Sequence, residues 1–213
     1  MKSRKNLLKK SQLYLILNRQ LENKGSLEKI CSDFSGKGID VIQLRDKVSA
    51  KKEVLNFALY LAKYFKASKT LFIINDYTDI ALASGADGVH LGQDDSSIKE
   101  AKKILGKGKI IGVSCHSLQQ ALKAQKEGAD YIGIGPIYST PTKPEYKAIG
   151  LETLRQLKGK IKIPYFAIGD IGQENIKAIV ANGATRVAVC RAILNAKSAK
   201  RTVRQLNNLL GKK

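Results

Sequence analysis

The sequence predicts an α/β protein of the (β/α)8 barrel class, and three observations predict it. The first is a repeated pattern, a glycine followed by a short β-branched run: GIDVIQL from Gly38, GADGVHL from Gly85, GADYIGI from Gly128 and GATRVAV from Gly183. These starts lie 47, 43 and 55 residues apart, the span of two strand-helix units rather than one. The second is that a strand-like run fills each gap, LFIIN (71–75), KIIGVSC (109–115) and IPYFAI (163–168), while QLYLIL (12–17) precedes the first repeat. The third is helical periodicity between strands, at 49–66, 117–127 and 173–181, with apolar residues at three- and four-residue spacing. Strict alternation requires parallel strands, and eight of them in 213 residues favour a closed TIM barrel over an open doubly wound sheet. One domain is expected over 1–213, with its barrel core at about 12–211.

Composition narrows the class. Hydrophobic residues at 43% and the absence of tryptophan describe a core of Ile, Leu, Val and Ala rather than a disordered chain. No apolar run approaches the roughly 20 residues needed to cross a bilayer, and MKSRKNLLKK lacks the apolar stretch of a signal peptide, so a cytoplasmic protein is expected. Cys31, Cys115 and Cys190 are widely spaced and odd in number, which predicts free thiols and neither a disulfide framework nor a zinc cluster. The net charge of +20 raises the question of nucleic acid. Yet the lysines are dispersed over the termini and presumed outer helix faces, and no nucleic-acid-binding motif accompanies them. A solvated surface is the better reading, with no nucleic-acid partner expected; a homo-oligomer is left open.

Taken in order, the strand ends carry the chemistry, because barrels of this kind place their sites at the C-terminal ends of the strands. The basic first ten residues read as an added helix or a frayed arm ahead of the first strand. The second strand ends VIQLRDK, where alternation puts Gln43, Arg45 and Lys47 on one face, an unbalanced charge that calls for acids or a bound anion. The third ends IINDY, giving Asn75 and Asp76, and the fourth ends HLGQDD, giving Gln93, Asp94 and Asp95. Asp76 and Asp95, at adjacent strand exits, suit one hard cation such as Mg2+ shared with phosphate oxygens, although either could instead cap the following helix. Asp94 reads as the better cap.

The fifth strand delivers Ser114, Cys115 and His116, with no G-x-S-x-G elbow, so Ser114 reads as an orienting hydroxyl rather than a nucleophile. His90 and His116 read as structural. The sixth ends in GPIYSTPTKP, whose Thr140, Thr142 and Lys143 lie between prolines in an extended loop suited to an anion. The seventh ends FAIGDI and the eighth VAVCRAI, a pair of loops that can hold a second phosphate, with Gly169 admitting close backbone approach and 189–191 presenting amides.

The motifs QLRDK, IINDY, GADGVHLGQDD, GVSCHS, GIGPIYSTPTKP, AIGDI and VAVCRAI, in this order from about 13 to 193, resemble the thiamine-phosphate synthase family. That family is a (β/α)8 barrel joining 4-amino-5-hydroxymethyl-2-methylpyrimidine diphosphate to hydroxyethylthiazole phosphate with Mg2+. The resemblance implies that Gln43, Arg45, Lys47, Asn75, Ser114 and Lys143 hold the pyrimidine diphosphate, with Arg45, Lys47, Ser114 and Lys143 aiding the reaction. It implies Asp76 and Asp95 for Mg2+, and Thr140, Thr142, Gly169 and the amides of Cys190 and Arg191 for the thiazole phosphate. Three positions depart from the family pattern: Asp170 stands for a second glycine, Arg191 for a serine, and Asn18 for an acid. The related thiazole tautomerases generally lack the TPTK loop, which favours the synthase here.

Overall fold

The computed structural model describes residues 3–21, 26–140 and 146–212. Eight parallel strands form a closed barrel in sequence order: β1 (Leu13–Asn18), β2 (Val41–Arg45), β3 (Leu71–Asn75), β4 (Gly88–Leu91), β5 (Ile110–Cys115), β6 (Tyr131–Ile134), β7 (Tyr165–Ile168) and β8 (Val187–Val189). Closure is made by β1 against β8, with Leu13 opposite Val187 and Leu15 opposite Val189. The helices are α1 (Arg4–Lys10), α2 (Ser26–Phe34), α3 (Lys51–Phe65), α4 (Thr78–Ala83), α5 (Ile98–Leu105), α6 (Leu118–Glu127), α7 (Glu152–Leu157), α8 (Ile176–Ala181), α9 (Arg191–Leu194) and α10 (Ala199–Leu209). None of these helices is long and apolar enough to cross a membrane. All eight strands predicted from the sequence are present.

Local signals set several boundaries. Gly128 ends α6 in the left-handed conformation, φ 86°, which an L side chain resists. Ser117 starts the same helix by accepting a hydrogen bond from the Gln120 amide. At α5 the cap is Ser97, in a capping box with Glu100, and neither Asp94 nor Asp95 caps it. The expectation for Asp94 is therefore corrected: a serine three residues before a glutamate satisfies both orphan donors, which a carboxylate further upstream cannot reach. Helix α8 begins three residues later than the periodicity suggests, because Asn175 closes a turn from the Gly172 amide to the Asp170 carbonyl.

Two apolar layers divide the chain. The outer one lies between strands and helices and contains Leu15, Ile42, Leu44, Phe72, Ile74, Val89 and Ile134. The inner one fills the barrel tube with Tyr14, Val41, Leu71, Ile73, Ile110, Tyr131, Phe166 and Ala188, joined by Leu8 of α1. The rings of Tyr14, Tyr131 and Phe166 meet across the tube at centroid distances of 5.2 to 5.9 Å. Gly112 makes room for one of them, since a Cβ there would stand 2.1 Å from the Tyr131 ring.

Helix α1 settles the fate of the basic N-terminal segment. It lies across the N-terminal ends of the strands, where Arg4 binds Asp87 and the Ser68 carbonyl, Lys5 pairs with Asp130 at 2.7 Å, and the Lys9 carbonyl accepts from Arg186. Leu8 thereby enters the tube with 1% of its surface exposed. Leu8→Ala is expected to destabilise the protein by about 2–5 kcal/mol, through lost transfer energy and a cavity at the tube's end. Urea unfolding checks this, and a loss below about 0.5 kcal/mol would mean that α1 is not a plug.

Candidate active site

A cavity opens at the C-terminal ends of the strands, lined by Gln43, Arg45, Asn75, His90, Ser114, His116, Thr140, Gly169, Asp170, Cys190 and Arg191 among others. Eight of the residues singled out in the sequence thus meet in one place: Gln43, Arg45, Asn75, Ser114, Thr140, Gly169, Cys190 and Arg191. Thr142 and Lys143 lie outside the described residues. Lys47, Asp76 and Asp95 form a polar group at the edge of the mouth.

The turn after β2 aims the cations. Asp46, 2% exposed, accepts hydrogen bonds from the Val48 and Ser49 amides and from Arg19, and so folds QLRDK back on itself. Burial alone would raise its carboxyl; the hydrogen bonds from Ser49 and Val48 and the charge of Arg19 outweigh burial and hold it below the usual range. Its role is structural. On either side, Arg45 faces the cavity and Lys47 reaches Asp76 at 2.6 Å. The Arg45 Nη1 is buried with no hydrogen-bond partner among the described residues, an arrangement that an anion in the cavity would complete.

Asp76 follows β3 with φ 62°, a left-handed backbone that costs a non-glycine residue energy and marks functional turns. Its amide donates to the His90 carbonyl at the end of β4, bringing the two strand exits together. The Asp76 carboxyl is raised by burial, opposed by the Lys47 ammonium, and raised further by the hydrogen bond its protonated form donates to Asp95 and by the charge of Asp95. Two carboxylates thus press on one another, with the Lys47 ammonium paired to one of them. Among the described residues no group of three or more His, Cys, Asp or Glu could hold a metal ion. A pair of hard oxygen donors still fits Mg2+, which takes one or two carboxylates and completes its shell with water and phosphate oxygens. Neither acid caps a helix: α4 starts at Thr78 with no side-chain cap, and α5 has Ser97.

At the other side of the mouth, β7 and β8 present Gly169 and the start of α9. A Cβ on Gly169, φ 116°, would stand 2.5 Å from the Ile137 nitrogen, so the close approach that this glycine permits is to its own chain after β6. Asp170, φ 46°, and Arg191 meet in an ion pair, Nη2 to Oδ1, across the cavity rim. The first amides of α9 have no intrahelical acceptor, as at any helix start.

The residues that sequence reasoning missed lie deeper. His90 reads from the sequence as structural and Tyr14 and Tyr131 are not singled out there, yet the three join Gln43 to Ser114 through an unbroken set of hydrogen bonds. Their alternation along β1, β4 and β6 was the available signal. It placed each on the inner face, but inner residues low in a strand read as filling.

Fold and mouth together define an α/β-barrel enzyme with its site at the C-terminal strand ends. The model of the family described as thiamine monophosphate synthase matches residues 13–193. The thiamine-phosphate synthase of Clostridium acetobutylicum is 39% identical over 201 residues, 94% of this chain and 95% of that one. That of Halalkalibacterium halodurans is 40% identical over 200 residues, 93% and 95% of the two chains. The structure of thiamine phosphate pyrophosphorylase from Pyrococcus furiosus superimposes with a TM-score of 0.86 at 35% identity, over 97% of this chain and 98% of that one. The chain belongs to the thiamine monophosphate synthase family, and it is a transferase.

The cysteine thiols are held protonated by burial. Burial pushes the thiols of Cys31 and Cys115 up to about 12 and that of Cys190 up to about 11, the last opposed in part by Arg45. At pH 8 the Cys190 thiolate should therefore be about 100-fold scarcer than at an ordinary value of 9.0. A chromogenic disulfide reagent should react with the native protein about that much more slowly than with the guanidinium-unfolded chain. Equal rates would show a reactive thiol in the mouth.

Proposed function

We propose that this chain joins 4-amino-5-hydroxymethyl-2-methylpyrimidine diphosphate to hydroxyethylthiazole phosphate, releasing diphosphate and forming thiamine phosphate. One observation carries the reading. In a chain of this family, Gln43, Arg45, Asn75 and Ser114 converge in one cavity beside the Asp76-Asp95 pair, and Arg45 brings a buried guanidinium nitrogen with no hydrogen-bond partner among the described residues.

The chemistry follows from charge. Diphosphate leaves from a benzylic-type carbon, and the amino-pyrimidine ring delocalises the cation left behind, so bond breaking can run ahead of bond making. Arg45, Lys47 and Lys143 offset the charge that accumulates on the departing oxygens. Asp76 and Asp95 would hold Mg2+, which when bound adds to that neutralisation. Lys47, paired with Asp76, is thereby held beside the position proposed for the diphosphate. The thiazole nitrogen attacks the carbon while its phosphate is held by Thr140, Thr142, Gly169 and the amides of Cys190 and Arg191. No covalent nucleophile is required, in keeping with neutral thiols and with a Ser114 whose oxygen is already engaged by His90.

The direct test is to incubate the purified protein with both substrates and Mg2+ and to measure thiamine phosphate by fluorescence after oxidation. Product that depends on both substrates supports the reading, and none at any Mg2+ concentration overturns it. Asp95→Asn should depress turnover strongly and raise the Mg2+ requirement; unchanged turnover at limiting Mg2+ would remove Asp95 from the metal site. Lys143→Ala should lower turnover by on the order of 10² with the melting temperature nearly unchanged. A large loss of stability with normal turnover of the folded fraction would assign it to the fold instead.

The Asp170-Arg191 pair makes a separate claim on the thiazole half. Alone, Asp170 would repel a phosphate; paired, its charge is cancelled and the remaining guanidinium N-H groups stay available. Arg191→Ser should raise the KM for the thiazole phosphate by about 10-fold, and adding Asp170→Gly should recover most of it. Strictly additive effects in the double-mutant cycle would show that the pair plays no part in binding.

A further inference from the structure

The barrel tube carries a buried polar chain, and its hydrogen bonds have a direction. Gln43 Nε2 donates to the Tyr14 hydroxyl at 2.8 Å, and the Tyr14 hydroxyl lies 2.8 Å from that of Tyr131. The Tyr131 hydroxyl lies 3.0 Å from His90 Nδ1, and His90 Nε2 lies 2.9 Å from Ser114 Oγ. Burial raises both tyrosines well above their ordinary range, so each is a neutral phenol with one proton to place.

An amide nitrogen only donates, which settles the first link. Tyr14, accepting from Gln43, must pass its own proton to Tyr131, because a buried hydroxyl hydrogen left without an acceptor is costly. Tyr131 then donates to His90 Nδ1. His90 is left with its proton on Nε2, which it gives to Ser114 Oγ. The Ser114 hydrogen is thereby turned out of the chain. The two ends of the chain face the same cavity with opposite character, Gln43 offering the carbonyl oxygen of its amide and Ser114 offering an O-H. The strands leave room for this arrangement: a Cβ at Gly112 would strike the Tyr131 ring, and one at Gly133 would crowd His90 at 3.4 Å.

We propose that Tyr14 and Tyr131 are positioning residues that polarise the cavity, setting Gln43 as acceptor and Ser114 as donor and so selecting an amino-pyrimidine over its oxo analogue. The inference rests on the proposed function for the identity of the ring. An exocyclic amino group gives its N-H to Gln43 Oε1 while a ring nitrogen accepts from Ser114. A 4-oxo ring would set one acceptor against another at Gln43, and a site built to hydrogen-bond a group discriminates strongly when the pairing is wrong.

Two measurements test it, and the first needs neither turnover nor a variant of the relay. The chain has two histidines, so 15N-13C NMR of the histidine-labelled protein resolves each ring, with His116→Gln identifying the signals. His90 is expected as the Nε2-H tautomer; an Nδ1-H tautomer or an imidazolium means that the chain runs the other way or is broken, and overturns the proposal even if the enzyme makes thiamine phosphate. The second compares kcat/KM for the 4-amino and 4-oxo pyrimidine diphosphates. The unaltered protein should prefer the amino form by about 10²-fold or more. Tyr14→Phe, which removes an acceptor from Gln43 and a donor from Tyr131, should cut that preference at least 10-fold without moving the KM for the thiazole phosphate. A preference kept within twofold in folded Tyr14→Phe would reduce Tyr14 to core filling and overturn the proposal.

Discussion

Closure of the sheet is the constraint on which everything else in this protein depends. Once β1 pairs with β8 no strand has a free edge, and every inward side chain must share one narrow tube. The ends of that tube have different solutions. Where the strands start, Val41, Leu71 and Ile110 are met by Leu8, and the end is sealed. Where they finish, polar side chains take over, and the opening is left for ligand. Between the two, Tyr14 and Tyr131 belong to both regimes, with rings packed against Phe166 and hydroxyls in the polar chain above.

Electrostatics follows the same division. The excess of basic residues is spread over the surface, but the pairs that matter structurally are few and placed at element ends: Arg4 on Asp87, Arg19 on Asp46, Lys212 on Asp40. At the mouth the logic is inverted. Arg45 keeps a buried nitrogen without a hydrogen-bond partner among the described residues, and Asp76, although paired with Lys47, also stands against the charge of Asp95. Such sites cost stability and are found where a charged molecule restores the balance on arrival.

How legible this was depends on what each residue answers to. All eight strands were visible, because a parallel strand buried on both faces writes a nearly continuous apolar run. Strand-end residues were visible because polarity interrupts such runs abruptly, as at Gln43, Asn75 and Ser114. Asp76 and Asp95 could be placed at neighbouring exits, while the choice of Ser97 over Asp94 as cap turned on three residues of chain path that periodicity does not specify. The polar chain escaped because Tyr14, Tyr131 and His90 sit within strands and connect across the barrel, so their partners lie 24 to 117 residues away. The role of the first ten residues was equally hidden, since α1 is recognisable as a helix but its target is assembled from four distant loops.

That target has a consequence for how the chain is made. Arg4 and Lys5 leave the ribosome early, yet Asp87 follows Arg4 by 83 positions and Asp130 comes later still. The contact between Lys9 and Arg186 spans 177 positions, and the closing ladder, β1 with β8, needs residues 187 to 189. Until those partners are in place the folded contacts of Leu8 and of the basic residues around it cannot be complete. The plug precedes the barrel in the sequence, yet its folded contacts need residues from as far along as Arg186.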